Sequence, residues 1–210
     1  MIRRIGLVAA AVVVPVALVV TAGIAGASKG PSAATDTATC TGLQGTVNFS
    51  IPLTNSGVTS GTETSTVSGS LSGCTASGSY GVTLSGATFS GTISGKPASA
   101  KHPGATCAGL VGTNKEKGTL TTSWSSSPPV APTVLTVKTV TSGVDNDNNG
   151  TFAVAGKYKG SFGGSDKGKS STTSAETVET TSEILAQCAG SGVSSLQITT
   201  PDSGNPVVLQ

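Results

Sequence analysis

Between Gly45 and Thr54 the chain alternates Val47, Phe49, Ile51 and Leu53 with Asn48, Ser50, Pro52 and Thr54. Neighbouring side chains of an extended strand point to opposite faces, so a period of two gives the segment one dry face and one wet face. The pattern recurs at Tyr80, Val82 and Leu84, then in a shifted phase at Ala87, Phe89 and Ile93. The slip predicts a bulge or tight turn at Ser85-Gly86. Later, Phe152, Val154, Tyr158 and Phe162 alternate with Ala153, Lys157, Lys159 and Ser161. This repetition sets the chain apart from a disordered Ser/Thr-rich stalk. It predicts an all-β fold of eight or so short strands, an antiparallel β-sandwich or barrel.

Composition makes such a core thin. There are 30 serines, 32 threonines and 29 glycines among 210 residues, and only seven aromatic side chains. Burial must therefore rest on Val, Leu, Ile and Ala, each contributing about 1.5–3 kcal/mol at most. Four cysteines, Cys40, Cys74, Cys107 and Cys188, can supplement it as two disulfides with three formal connectivities. Register chooses among them. If Thr46–Thr54 pairs with Thr62–Ser70 across a turn near Ser56-Gly57-Val58, facing residue numbers sum to about 114. Cys40 and Cys74 satisfy the same sum, leaving Cys107 for Cys188. No CxxC spacing and a single histidine speak against a zinc site.

Other segments fill in the outline. Pro52 lacks an N–H and predicts an edge strand or a bulge. Thr62–Gly73 is a strand with Val67 and Leu71 on one face. Lys96–Gly104 is a loop, Asn114–Gly118 a solvated turn, and Thr119–Trp124 a strand. The prolines of Pro128–Pro132 make a short stiff connector. The β-branched Thr133–Thr141 is a candidate central strand. One short helix is predicted over Ser182–Ala189, capped by Thr181 or Ser182 and stopped by Gly190, with Ile184, Leu185 and Cys188 facing the sheet. Leu196–Thr199 is the last predicted strand.

Arg3 and Arg4 precede the apolar run Ile5–Val20, and Ala25-Gly26-Ala27 closes it. A positive start, an apolar middle and a small-x-small ending describe a signal peptide over residues 1–27. A membrane anchor of about 20 residues is the alternative. Pro15 and the small residues at the end disfavour it, and Ile5-Gly6-Leu7 is a poor match to twin-arginine export. The expected organisation is a flexible lead-in over 28–39, one β domain over 40–200 and a polar tail over 201–210. Both arginines fall in the leader, and the ten lysines that follow balance ten acidic residues. A neutral, arginine-free surface excludes the usual phosphate-binding modes, so no nucleic-acid partner is expected. The expected location is secreted or cell-wall associated, with an extracellular or cell-wall partner and no membrane association after cleavage.

Candidate chemistry is sparse. Asp145-Asn146-Asp147-Asn148-Asn149-Gly150 matches the opening of a calcium loop, with Asp145, Asp147 and Asn149 as side-chain ligands. Gly156 stands where an EF-hand needs its bidentate glutamate, so the alternative is a hairpin turn built on Asp, Asn and Gly. Calcium is the one cofactor considered. His102, the sole histidine, lies in the turn-like Lys101-His102-Pro103-Gly104, and no GxSxG elbow accompanies it. Glu176, Glu179 and Glu183 form an expected solvated acidic face. Trp124 is expected as a core anchor. Asn48-Phe49-Ser50 and Asn149-Gly150-Thr151 are formal glycosylation sequons.

The Ala/Val-rich leader, the strand edges Val67-Ser68-Gly69-Ser70-Leu71-Ser72-Gly73-Cys74 and Ser90-Gly91-Thr92-Ile93-Ser94-Gly95, and Leu185-Ala186-Gln187-Cys188 resemble uncharacterised small secreted β-rich proteins of actinobacteria. The resemblance rests on composition. It implies an extracellular or cell-wall location and assigns no catalytic or binding residue. The expected function is a non-enzymatic binding or structural module. One alternative is a carrier of a small apolar ligand in a barrel cavity, the other a secreted hydrolase using His102. A cavity of about 300–1,000 Å³ favours the carrier, and a filled core favours a surface-binding or structural role.

Overall fold

The computed structural model describes residues 37–78, 81–162, 170–202 and 207–209. The predicted leader, most of the lead-in and Tyr80 lie outside them. Among the described residues ten strands form, in chain order: β1 Thr37–Leu53, β2 Thr64–Ser77, β3 Thr83–Ser94, β4 Gly112–Asn114, β5 Lys117–Ser127, β6 Thr133–Val144, β7 Asn149–Lys159, β8 Ser170–Thr180, β9 Val193–Thr199 and β10 Val207–Leu209. Helix α1, Thr181–Ala189, lies between β8 and β9.

Each long strand pairs antiparallel with the next, and β9 pairs back onto β1, with Gln44 facing Thr199 and Val47 facing Leu196. The eight strands β1, β2, β3, β5, β6, β7, β8 and β9 thus close into an up-and-down barrel. The two short strands cover what the ring leaves open. β10 pairs with Ala38–Cys40, below the reach of β9, and β4 pairs with Val140–Ser142, above the reach of β5.

The predicted hairpin register is the observed one: Cys40 faces Cys74, Thr46 faces Ser68, and Val47 faces Val67. Disulfides join Cys40 to Cys74 and Cys107 to Cys188, and no described cysteine is free. The β3 ladder shifts between Leu84 and Gly86, where the apolar phase slips. The β1–β9 ladder shifts between Asn48 and Leu53, around Pro52.

Several expectations need correction. β1 begins at Thr37, so the lead-in does not extend to Thr39, and the expected polar tail contributes β10. Strand β8 was not expected. Its Thr and Ser carry β propensity without apolar alternation, and glutamates on either side of Thr177-Val178 obscure the period. Glu176 is accordingly no solvated residue. It is 2% exposed and accepts hydrogen bonds from Asn149 Nδ2 and the Asp202 backbone N–H. Phe162 lies beyond β7, because Gly160, at φ 106°, leaves the strand direction first. The helix is capped by Thr180, whose hydroxyl accepts from Glu183 N–H while the Glu183 carboxylate accepts from Thr180 N–H. Leu185 is 56% exposed, and only Ile184 and Cys188 turn inward.

One end of the barrel is packed solid. Trp124 meets Phe162 edge-to-face at 5.0 Å and donates from Nε1 to Thr133 Oγ1 at 2.9 Å, next to Leu84, Ala87 and the Cys40–Cys74 bridge. Further up, the Phe89 ring lies on bare backbone. A Cβ on Gly69 would come within 2.5 Å of Phe89 Cζ, and one on Gly45 within 2.9 Å. The opposite end is roofed by two loops and the helix. The β3–β4 loop hydrogen-bonds to the β1–β2 loop through Val58–Gly104 and Thr54–Ala105 backbone pairs. The Cys107–Cys188 bridge fastens that loop to α1 over a small cluster of Leu53, Ala105, Ile184, Val193 and Leu196.

The two bridges close chain segments of 34 and 81 residues. Chain entropy alone then predicts losses of about 3.8 and about 4.5 kcal/mol on removal. Urea unfolding of Cys40→Ser/Cys74→Ser and of Cys107→Ser/Cys188→Ser checks this, with the larger loss expected for the second pair.

A candidate ligand cavity and its acidic mouth

Between the packed end and the roof the barrel holds a cavity of about 750 Å³. Its wall is built from inward positions of the strands, among them Val47, Leu71, Phe89, Leu120, Leu135 and Val154. Phe89, Leu120, Val154 and Val47 are only half-buried although they point inside, because the space they face is unfilled. Polar side chains interrupt the apolar wall, Ser65, Thr122 and Ser174 among them. Tyr158 Oη and Thr173 Oγ1 lie 3.1 Å apart. Ser142 also lines the cavity at 6% exposure, and no side-chain hydrogen bond joins it to a described residue.

The exposed residues of the lining, including Lys96, Ser99, His102, Pro103 and Lys115, all belong to the segment between β3 and β5. The cavity therefore reaches solvent beneath that segment.

Two half-buried carboxylates stand at this mouth. Thr64 faces Ser94, and Ser94 faces Lys117. One position nearer the roof, Glu63, Gly95 and Glu116 lie side by side, with Gly95 N–H donating to Glu63 O at 3.1 Å. Adjacent strands lie about 4.8 Å apart, so the two glutamates flank Gly95 with backbones about 10 Å from each other. Gly95 puts no side chain between them, and a Cβ there would still be 3.9 Å from Glu63 Oε2. Ser65 Oγ donates to Glu63 Oε1 at 2.9 Å. Burial pushes the Glu116 carboxyl up to about 7, and the negative charge of Glu63 adds to that shift. Burial raises Glu63 as well, partly offset by the Ser65 hydroxyl.

Neither glutamate stood out in the sequence. The available signal was phase: Glu63 precedes the inward Ser65 and Val67 by two and four residues, and Glu116 precedes Leu120 by four.

The predicted calcium loop is a tight β6–β7 turn. Asp145 Oδ1 accepts from the N–H groups of Asp147 and Asn149 at 2.9 and 2.8 Å. The Asn149 amide donates to Asp145 Oδ2 and Glu176 Oε1, each at 3.3 Å or more. These side chains hold the turn together, and no cluster of three His, Cys, Asp or Glu suited to a metal occurs among the described residues. His102 is exposed in the roof loop, exchanging backbone hydrogen bonds with Ser99, while Ser99 Oγ accepts from the His102 backbone N–H at 3.2 Å. The chain matches no family model, no curated protein and no solved structure.

The folded protein holds protons on Glu116 and Glu63 to higher pH than the unfolded chain does. Their contribution to stability is complete below the ordinary value of 4.5 and is lost as pH rises through about 7. The melting temperature should therefore fall by a few degrees between pH 5 and pH 8, and Glu116→Gln should remove most of that slope. Calorimetry across this range checks both expectations.

Proposed function

We propose that this protein is a non-enzymatic extracellular or cell-wall carrier that holds a small ligand with an apolar body inside its barrel. The cavity supports this reading: its volume falls in the range of about 300–1,000 Å³ typical of small-molecule sites, and its wall is mostly apolar. A barrel of eight strands is about the size that encloses one such ligand. The placement of His102 lends no support to a hydrolase. Its loop offers backbone contacts to Ser99 and no hydrogen-bonded base for a nucleophile.

An exported location is supported by the tripartite leader and by two disulfides, which persist in oxidising compartments. No helix among the described residues is long and apolar enough to cross a membrane.

The neutral fluorophore N-phenyl-1-naphthylamine tests the carrier. One equivalent should bind with strong fluorescence enhancement. Val154→Trp, which fills the cavity from its wall, should weaken binding at least tenfold, about 1.4 kcal/mol, with an unchanged melting temperature. Absence of enhancement, or binding untouched by the filled cavity, would overturn the proposal. Amino-terminal sequencing of exported protein should begin at Ser28, and a retained Met1 would refute cleavage.

A further inference from the structure

We propose that the ligand carries a protonated amine at one end of its apolar body, and that Glu63 and Glu116 hold this head over Gly95 at the cavity mouth. The inference rests on the carrier reading and adds the chemical class of the ligand.

Three observations support it. First, the carboxylates are drawn into a half-buried setting without a cation. The interactions acting on them are burial, the Ser65 hydroxyl and, on Glu116, the charge of Glu63, and no described lysine forms an ion pair with either. A like-charged pair removed from water is costly unless a positive group joins it. An ammonium supplies three donors, enough to bridge two carboxylates through short charge-assisted bonds.

Second, the space for that head exists. Gly95 keeps the inward position between the two glutamates clear of any side chain, and no other neighbour comes within 3.9 Å of where its Cβ would be. Third, Ser142 is 94% buried, lines the same cavity and has no side-chain hydrogen bond to a described residue. Its hydroxyl is open to the cavity, where it adds a polar contact that a bound ligand can use.

The cationic groups at the mouth do not reverse this preference. Lys96, Lys115 and His102 line it from the β3–β4 and β4–β5 connections, but all three are exposed, and Lys117 is exposed beside Ser94. Water screens them, whereas the glutamates sit deeper. An anionic head would pass these screened cations and then meet the acidic pair at the depth where it must come to rest.

The test compares dodecylamine, 1-dodecanol and dodecanoate, each below its micelle concentration, by calorimetric titration of the full-length protein at pH 8. Dodecylamine should bind at least tenfold more tightly than dodecanol, and dodecanoate most weakly. Glu63→Gln/Glu116→Gln, checked for folding by circular dichroism, should bind amine and alcohol alike. In the native protein the preference for amine should shrink toward pH 5.5, as the glutamates take up protons, and His102→Ala should leave that pH dependence in place.

Equal binding of amine and alcohol by the native protein, tighter binding of dodecanoate, or a preference that survives the double substitution would overturn the amine assignment and leave the carrier standing. Failure of all three probes to bind would overturn the carrier and the assignment with it. The comparison of probes in the native protein decides the matter even if the double variant does not fold.

Discussion

Hydrogen bonding between β1 and β9 is the constraint on which everything else depends. Seven consecutive pairings would leave an open, twisted sheet with two unpaired borders. The ladder from Gln44–Thr199 to Leu53–Val193 joins those borders and converts one face of the sheet into an interior. The length of β1 makes this economical. Its 17 residues pair with β2 along one side, and on the other they accept β9 in the upper part and β10 in the lower. Closure gives the small side chains of a Ser/Thr/Gly-rich chain a shared enclosed space that no sandwich of such poor cores would supply.

How that space is filled differs along the barrel axis. At one end Trp124, Phe162 and the Cys40–Cys74 bridge leave no room. In the middle, glycines at 45 and 69 let the Phe89 ring approach the backbone. Nearer the roof the inward side chains, Phe49, Ile93 and Phe152 among them, line the wall without filling the centre, and that volume remains as the cavity. The same scarcity of large apolar residues that makes the core thin therefore produces the candidate binding space.

Much of the architecture was legible because β-structure writes itself as a period of two. The Val47-to-Leu53 alternation, the common sum that pairs Cys40 with Cys74, and the slip at Ser85-Gly86 are all one-dimensional traces of register. β8 was illegible because Thr and Ser suit either face of a sheet, so its Glu176 looked solvated although closure and the Asn149 amide bury it. The carboxylate pair was hidden for another reason. Glu63 and Glu116 are 53 positions apart in the chain and become neighbours only because β3 lies between their strands, a relation fixed by three-dimensional pairing. The Asp145 segment answers to both of its sequence readings at once: its spacing matches the opening of a calcium loop, and Asp145 Oδ1 accepts from the turn's own N–H groups.

All solvent-facing residues of the cavity lining come from a single excursion between β3 and β5, which is anchored to the helix through Cys107 and lies outside the main ladder of the barrel. Access to the cavity and the closed ring of strands are thereby carried largely by separate stretches of polypeptide, with Glu63 of the β1–β2 connection the acidic residue at the mouth that lies outside the excursion. Exchanging that excursion for another of similar length, with its cysteine kept, would reshape the entrance while the staves beneath stay as they are.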